Sequence, residues 1–495
     1  MRMLMNCLDE EVTERRAESI FGDNANRPAR DWESYQAIVE ALKQLGNDET
    51  LIVKSGKLSS VVRTDDVAPR VLIFEANRRD HSAIGEEDRE RERLGLMIHG
   101  QTSAASWTDA GAQAILHGTF ETFALAAQEH FGGDLAGKLV VAGGMGRMGG
   151  AQPLAATMNG AAFLGIEVDA ERIKRRLRTG YCDICVNSLD EAIRILKNAV
   201  RQKQGVSVGL VGNCADIMPE MARRGIVPDL LTDQTSAHDA LNGYMPSGLS
   251  LGRAAELRST NPEEYLKRSY ESMARHVTGM LELQNLGAVA FEYGNRIRSL
   301  AFENGGVKDA FAMPDAMSAY IRPQLLEGRG PICCVALFGE HRDINRIDAL
   351  AHELFLNDVN LNRWIRQARK HAKFHGLPAR TCWLGRDERA VFAERINNLV
   401  GSGELKAPIV MARENVDGGP ESPPRREITD GSNTSVDRPV VNALINSAPG
   451  ASWASFQSIG GTKTGYLRRA AQAIVADGTP ETADRLRRVL MGHGI

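Results

Sequence analysis

The sequence predicts an α/β protein organised around a parallel sheet, and three observations carry that prediction. The apolar run Leu139 to Ala142 passes straight into the closely spaced glycines Gly143, Gly144, Gly146, Gly149 and Gly150. From about Gly111 to Pro323, strand patterns alternate with helical ones, the rhythm of parallel strands joined by crossover helices. The chain has 495 residues, more than one hydrophobic core serves, so roughly two or three domains are expected.

The elements follow in order. The first hundred residues combine a helix from Trp32 to Leu45 with short strands at Thr50 to Val53 and Arg70 to Phe74, an α/β layer. Charged residues from Glu86 to Arg93 fit a solvated helix face. The middle segment places strands at Leu139 to Ala142, Ala162 to Glu167, Val206 to Val211, Leu230 to Thr232 and Ala288 to Glu292, with helices between them on both faces of the sheet. The last segment carries strands at Ile332 to Leu337 and Ile409 to Ala412, and helices at Ile347 to Phe355 and Asn360 to His375. Its polar, proline-rich stretch from Gly418 to Arg425 reads as an exposed loop. The expected divisions are 1–112, 113–323 and 324–495.

Composition narrows the partners. Lys and Arg (60) nearly balance Asp and Glu (63), so no global field draws in nucleic acid or anionic lipid, and small molecules are the expected ligands. No apolar window approaches the ~20 residues of a membrane span, and the N-terminus lacks a signal-peptide core, so the cytoplasm is the expected compartment. Seven cysteines are sparse and odd in number, which suits a reducing environment. Cys182 and Cys185 form C-x-x-C, but no second ligand pair follows, and no metal is expected. Cys333 and Cys334 lie in an apolar run and read as part of a buried strand.

Gly144, Gly146 and Gly149 satisfy G-x-G-x-x-G directly after a strand. The first glycine allows the tight turn, the second lets backbone approach a pyrophosphate, and the third lets helix pack on strand. A second strand ends in Glu167, at the offset for gripping an adenosine ribose, which favours NAD over NADP. Arg172, Lys174, Arg175 and Arg176 follow closely, and as a group they offer an alternative grip on a 2′-phosphate. An ordinary dehydrogenase and a non-catalytic NAD-binding protein are the competing classes at this point.

Other strand ends are dense in polar groups: Thr232-Asp233-Gln234-Thr235-Ser236-Ala237-His238-Asp239, Glu292-Tyr293-Gly294-Asn295-Arg296 and Ala319-Tyr320-Ile321-Arg322-Pro323. With Gly149 to Ala155, Arg2 to Asn6, Asp31 to Tyr35, Asp48 to Leu51, Leu377 to Trp383, Ser402 to Pro408 and Asp430 to Ser432, these strings resemble urocanase over nearly the whole chain. The resemblance implies a Rossmann-like NAD domain flanked by segments that together build a discontinuous α/β core domain. It also implies a homodimer and a hydratase that adds water to an imidazole acrylate, using tightly bound NAD+ as an electrophile with no net redox change.

The resemblance assigns NAD contacts to Gly22, Gln101, Gly146, Arg147, Met148, Gly149, Glu167, Arg172, Asn213, Cys214, Gln234, Thr235, Ser236, Ala237, His238, Tyr244, Met245, Tyr293 and Gly461. Arg147 stands where the family has glycine. Arg322 would clamp the substrate carboxylate, Tyr35 would contact the reacting ring, and Cys382 matches the active-site cysteine, with proton donation, nicotinamide positioning and nucleophilic attack all open to it. Several departures fall near the site. Asp65, placed with the catalytic residues, stands where the family has histidine, Gly22-Asp23 replaces Gly-Gly, and Gln457-Ser458 replaces a His-His pair. A kept machinery beside a changed pocket wall points to a paralogue acting on thiourocanate or S-methylthiourocanate, the alternative being the urocanate hydratase of histidine degradation.

Overall fold

The computed structural model describes residues 1–13, 28–74, 104–415, 438–459 and 467–491. The charged stretch at Glu86 to Arg93 and the proline-rich stretch at Gly418 to Arg425 lie outside them. Among the described residues, fourteen strands follow in chain order: β1 (Glu49–Lys54), β2 (Lys57–Arg63), β3 (Val71–Phe74), β4 (Leu139–Gly143), β5 (Ala162–Glu167), β6 (Ile184–Val186), β7 (Val206–Val211), β8 (Leu230–Asp233), β9 (Val289–Glu292), β10 (Gly330–Ala336), β11 (Ala379–Leu384), β12 (Ile409–Asn415), β13 (Trp453–Ile459) and β14 (Leu467–Ala476). They divide between two compact units. One comprises Ile115–Pro323; the other takes in Met1–Ala114, Gln324–Gly418 and Pro424–Ile495.

The unit of Ile115–Pro323 holds a six-stranded sheet in the order β6-β7-β5-β4-β8-β9, parallel at every pairing. All six residues of β5 are buried, as expected of a strand covered on both faces. The helix Leu189–Gln202 turns Ala192, Ile193 and Leu196 inward at helical spacing, onto Leu164, Val208 and Leu210 of the sheet. The helix Pro262–Asn285 begins with Pro262 in its first turn and with the Asn261 side chain accepting from the Glu264 N–H, so an otherwise unsatisfied donor is capped. The order of the strands reverses at β4 and β5, where a crevice opens at their carboxyl ends.

The other unit holds an eight-stranded mixed sheet in the order β11-β10-β12-β14-β13-β3-β1-β2. The N- and C-terminal segments meet where β13 pairs in parallel with β3, Trp453 against Val71 through Phe456 against Phe74. One sheet thus needs both ends of the chain. Leu51, Val53, Val71, Ile73, Val335, Val410, Ala412 and Ala473 form a continuous apolar face with Ile38 of the helix Trp32–Gln44. Alternation sends the side chains of Arg380, Cys382 and Leu384 to the opposite face from Ala379.

Several strands go beyond the sequence reading. β2 is almost wholly exposed and lacks an apolar face, but pairs with β1 across Ser55 and Gly56, whose φ values of 46° and 67° suit a tight hairpin turn. β11, β13 and β14 complete the mixed sheet, and β6 edges the parallel one. The helix expected from Ile347 begins earlier and runs His341–Leu354. No helix among the described residues is long and apolar enough to cross a membrane.

Candidate cofactor cleft and active-site residues

The glycine loop after β4 closes on itself too tightly for side chains. Gly144 has φ of 83°, and a Cβ there would stand 2.8 Å from the Gln234 carbonyl oxygen. A Cβ on Gly149 would fall on the Gly144 carbonyl, and one on Gly150 on the Arg176 guanidinium. The loop then winds through a short 3-10 turn, Gly149–Ala151, into the helix Gln152–Met158.

The cleft above this loop gathers residues from the carboxyl ends of four strands, β4, β5, β7 and β8. Gly146, Glu167, Arg172, Asn213, Cys214, Gln234, Thr235, Ser236, Tyr244 and Met245, all named from the sequence, line it. Gly144, Ile166, Val168, Gly212 and Gly243 line it as well; of these only Gly144 had a sequence signal, the fingerprint itself. Asn213 caps the helix Cys214–Arg223 through the Ala215 N–H, and donates from its amide to the Met245 carbonyl at 3.0 Å, so it ties two walls together. Gln152 donates to the Gln234 side-chain oxygen at 2.9 Å.

Glu167 is 3% exposed, and its carboxylate accepts from the Met145 N–H at 2.8 Å and from the Asp169 N–H at 3.1 Å, with the Arg172 guanidinium 3.5 Å away. The basic residues that follow are not a common phosphate grip. Arg176 is buried, donating to the Gly146 carbonyl at 3.1 Å from beneath the loop, and Lys174 pairs with Glu171 at 2.7 Å on the exposed side. That corrects the 2′-phosphate alternative as far as Arg176 and Lys174 carried it: helix periodicity turns one under the loop and the other out to solvent.

The other sequence-named NAD residues that the structure describes lie elsewhere in the same unit. Arg147 is partly buried, Met148 is 46% exposed on the loop, Gly149 is buried under it, Ala237 is packed in an apolar cluster and His238 is exposed. Tyr293 packs edge-on against Phe291, ring centroids 5.5 Å apart, and burial pushes its phenol far above the usual range. Gly22, Gln101 and Gly461 lie outside the described residues.

Beneath the cleft is a buried polar network that the sequence reading missed as a network. Asp233 ends β8; its Oδ2 accepts from the Thr235 hydroxyl at 2.8 Å and from the Asn295 amide. His276, from the middle of the helix Pro262–Asn285, sits with Nδ1 3.4 Å from the Tyr244 hydroxyl and Nε2 3.5 Å from Asp233 Oδ1. Asp233 and Asn295 were inside quoted strings; His276 had no local signal.

Arg322 begins the helix Arg322–Leu326 and is half-buried. In the unit of the mixed sheet, Tyr35 is half-buried on the helix Trp32–Gln44, edge-on to Trp32 with centroids 5.7 Å apart, and burial raises its phenol pKa. Cys382 is 0% exposed in β11, opposite Ile332 of β10. Tyr35 packs against the apolar cluster that contains Ala379, so alternation along β11 puts the Cys382 side chain on the other face of the sheet from Tyr35. Its neighbour Arg380 makes a two-pronged pair with the buried Asp348, at 2.8 and 3.1 Å. Asp65 is exposed, and its Oδ1 accepts from the Val67 and Ala68 N–H groups at 3.2 and 2.8 Å, shaping the turn after β2. Gln457 is 4% exposed on β13, and its side-chain Nε2 has no hydrogen-bond partner among the described residues. The side chain of Ser458 lies outside the described residues.

The C-x-x-C cysteines are packing residues. Cys182 is buried with Met145 and Ile173, and burial pushes its thiol up to about 11.

Comparison with protein families matches three models in succession along the chain. Residues 1–108 match the urocanase N-terminal domain, 111–320 the urocanase Rossmann-like domain, and 323–494 the urocanase C-terminal domain. The parallel sheet with its glycine loop coincides with the second of these, and the two halves of the mixed sheet with the first and third. With all three domains present in order, the chain belongs to the urocanase family of hydro-lyases.

Proposed function

We propose that this hydratase binds NAD+ in the cleft above the glycine loop, adds water to an imidazole acrylate, and prefers a ring carrying sulfur, S-methylthiourocanate or thiourocanate. The observation that carries the cofactor part is the convergence of ten sequence-named residues on one cleft at the carboxyl ends of the parallel strands. The residues fit a dinucleotide: Gly146 lines the cleft with open space where a Cβ would stand, the nearest atom being Arg172 Nη1 at 3.9 Å, and Glu167 offers a carboxylate at the end of β5 for a ribose. NAD+, when bound, supplies an electrophile that makes the conjugated acrylate accept water without net oxidation.

The chain's own groups supply orientation and proton handling. The Arg322 guanidinium presents a planar fork suited to the acrylate carboxylate. The Tyr35 phenol, a neutral O–H group near pH 7, acts as a hydrogen-bond donor toward the ring. Asp65 carries a carboxylate where the family has histidine, and Gln457 replaces a histidine with a neutral amide, a donor suited to a ring nitrogen. We place the enzyme in solution as a homodimer, which sedimentation velocity tests.

The deciding measurement is kcat/KM for urocanate, thiourocanate and S-methylthiourocanate on one preparation, followed by loss of the acrylate absorbance. An apolar methyl-sized group alone gives roughly 10–200-fold in specificity, so a preference of that order for a sulfur-bearing ring is expected. If plain urocanate is the best of the three, the chain is an ordinary urocanate hydratase.

Arg322→Lys keeps the charge and loses the fork. A charged hydrogen bond is worth about 1.5–3 kcal/mol, so KM is expected to rise by roughly 10–100-fold while the bound NAD content stays unchanged. An unaltered KM removes Arg322 from the substrate site.

A further inference from the structure

The polar network under the cleft contains a donor set in which Asp233 and His276 take no part in the proposed hydratase chemistry, while Cys214 also lines the cleft proposed for NAD. Cys214, Asp233 and His276 come from three separate elements, and their Sγ, carboxylate oxygen and ring nitrogen lie within 4.8 Å of one another. Both Asp233 and His276 are 0% exposed, and Cys214 is 5% exposed. Cys214 opens the helix Cys214–Arg223, Asp233 ends β8 and His276 lies in the middle of the helix Pro262–Asn285, all three away from the surface.

The orientation of each ligand is fixed from outside. Asp233 Oδ2 is taken by the Thr235 hydroxyl at 2.8 Å and by the Asn295 amide, which leaves Oδ1 turned inward with no hydrogen-bond partner. Tyr244 meets His276 at Nδ1, 3.4 Å away, which leaves Nε2 turned inward toward Asp233 Oδ1 at 3.5 Å, with no hydrogen bond of its own. Outer contacts that fix the direction of a carboxylate and an imidazole are what a metal site requires of its surroundings. Gly143 completes the enclosure: a Cβ there would fall on Asp233 Oδ1 and stand 3.0 Å from Cys214 Sγ. The space is open because that residue is glycine.

We propose that Cys214, Asp233 and His276 form a binding site for a divalent cation of the zinc type. One thiolate, one imidazole and one carboxylate are a donor set that Zn2+ takes in tetrahedral geometry. Three protein ligands leave a fourth position, and since Cys214 and Tyr244 also line the cleft, water from that side fills it. The electrostatics are consistent. The Asp233 carboxylate, 0% exposed and with its oxygen within 4.8 Å of Cys214 Sγ, favours a cation beside it. On binding, the S–H bond is exchanged for a sulfur–metal bond and the proton leaves to solvent. A divalent ion with one thiolate, one carboxylate and a neutral imidazole gives a cluster of zero net charge, which lowers the cost of burying it. The site does not depend on which acrylate is the substrate.

The test uses the full-length protein with its cofactor as purified, reduced and treated with chelator, then titrated with Co2+ as a spectroscopic substitute for Zn2+. A single equivalent is expected to bind with a thiolate-to-cobalt charge-transfer band, lost in Cys214→Ala and kept in Cys182→Ala. Absence of the band in the unaltered protein, or its survival in Cys214→Ala, overturns the proposal. Should Cys214→Ala fail to fold, X-ray absorption at the zinc edge of the unaltered, zinc-loaded protein decides. One sulfur with nitrogen and oxygen neighbours is expected; a shell with no sulfur, or with two, overturns the site.

Discussion

Asp348→Ala is expected to destabilise the unit that carries the mixed sheet by about 3–5 kcal/mol, because it strands a buried guanidinium. Arg380 is 1% exposed, donates to both oxygens of Asp348 at 2.8 and 3.1 Å, and reaches the Gln113 side-chain oxygen at 3.1 Å with its remaining arm. Removing the carboxylate leaves the charge with one neutral acceptor in a place without solvent. Trp364 reports on the loss directly, since its indole N–H donates to the Thr381 carbonyl, one residue along β11, at 2.8 Å. Urea unfolding followed by tryptophan fluorescence gives the number, and a change below about 1 kcal/mol would show that the pair is hydrated or dispensable. Replacing both partners together, Asp348→Leu with Arg380→Met, is expected to cost far less than Asp348→Ala, because no unpaired charge remains. Cys382 is two residues from Arg380, so the same pair fixes the strand on which that cysteine sits.

The glycine fingerprint gives the second large effect, and its glycines divide by mechanism. Gly149→Ala places a Cβ on the Gly144 carbonyl, a backbone atom that cannot swing aside. Overpacking of this kind costs about 1–3 kcal/mol, so the cofactor-free protein itself is expected to lose stability, and NAD binding to weaken by roughly 10–100-fold as the loop opens. Gly146→Ala differs, since the nearest atom to its added Cβ is Arg172 Nη1 at 3.9 Å. It should leave the cofactor-free protein intact and weaken NAD binding alone, by standing where backbone approaches the pyrophosphate. Thermal unfolding with and without NAD, beside the NAD content of each purified variant, separates the two. Equal loss of stability without cofactor in both variants would refute the distinction.

Periodicity made the parallel unit legible. β5 and β7 occur at the residues the apolar pattern marks, and β4, β8 and β9 differ from it by a residue at one end, since strands buried on both faces leave continuous apolar runs. The mixed sheet was harder to read. β14, Leu467–Ala476, is rich in alanine and arginine, residues of high helix propensity, yet it lies between β12 and β13 and pairs with both. The cross-strand partners decide its state, and they are contributed by segments distant in the chain. β2 shows the opposite case, a strand with hardly any buried residue, specified by the turn at Ser55 and Gly56 and by its pairing with β1.

The sequence by itself determined the family, the glycine loop and most of the residues that line the cleft, because a glycine that must admit backbone, or a residue that must open a helix, constrains residue types at short and fixed spacing. The tertiary structure alone decided what each polar group is engaged with. It turned Arg176 under the loop, enclosed Cys382 on the face of its sheet away from Tyr35, and spent an Asp65 oxygen on a turn. It also brought Cys214, Asp233 and His276 together from positions that no motif connects. The physical reason is that hydrogen bonds, ion pairs and ligand sets are satisfied in space. Groups sixty residues apart, such as Asp233 and Asn295, share a partner only once the strands and helices that carry them have packed.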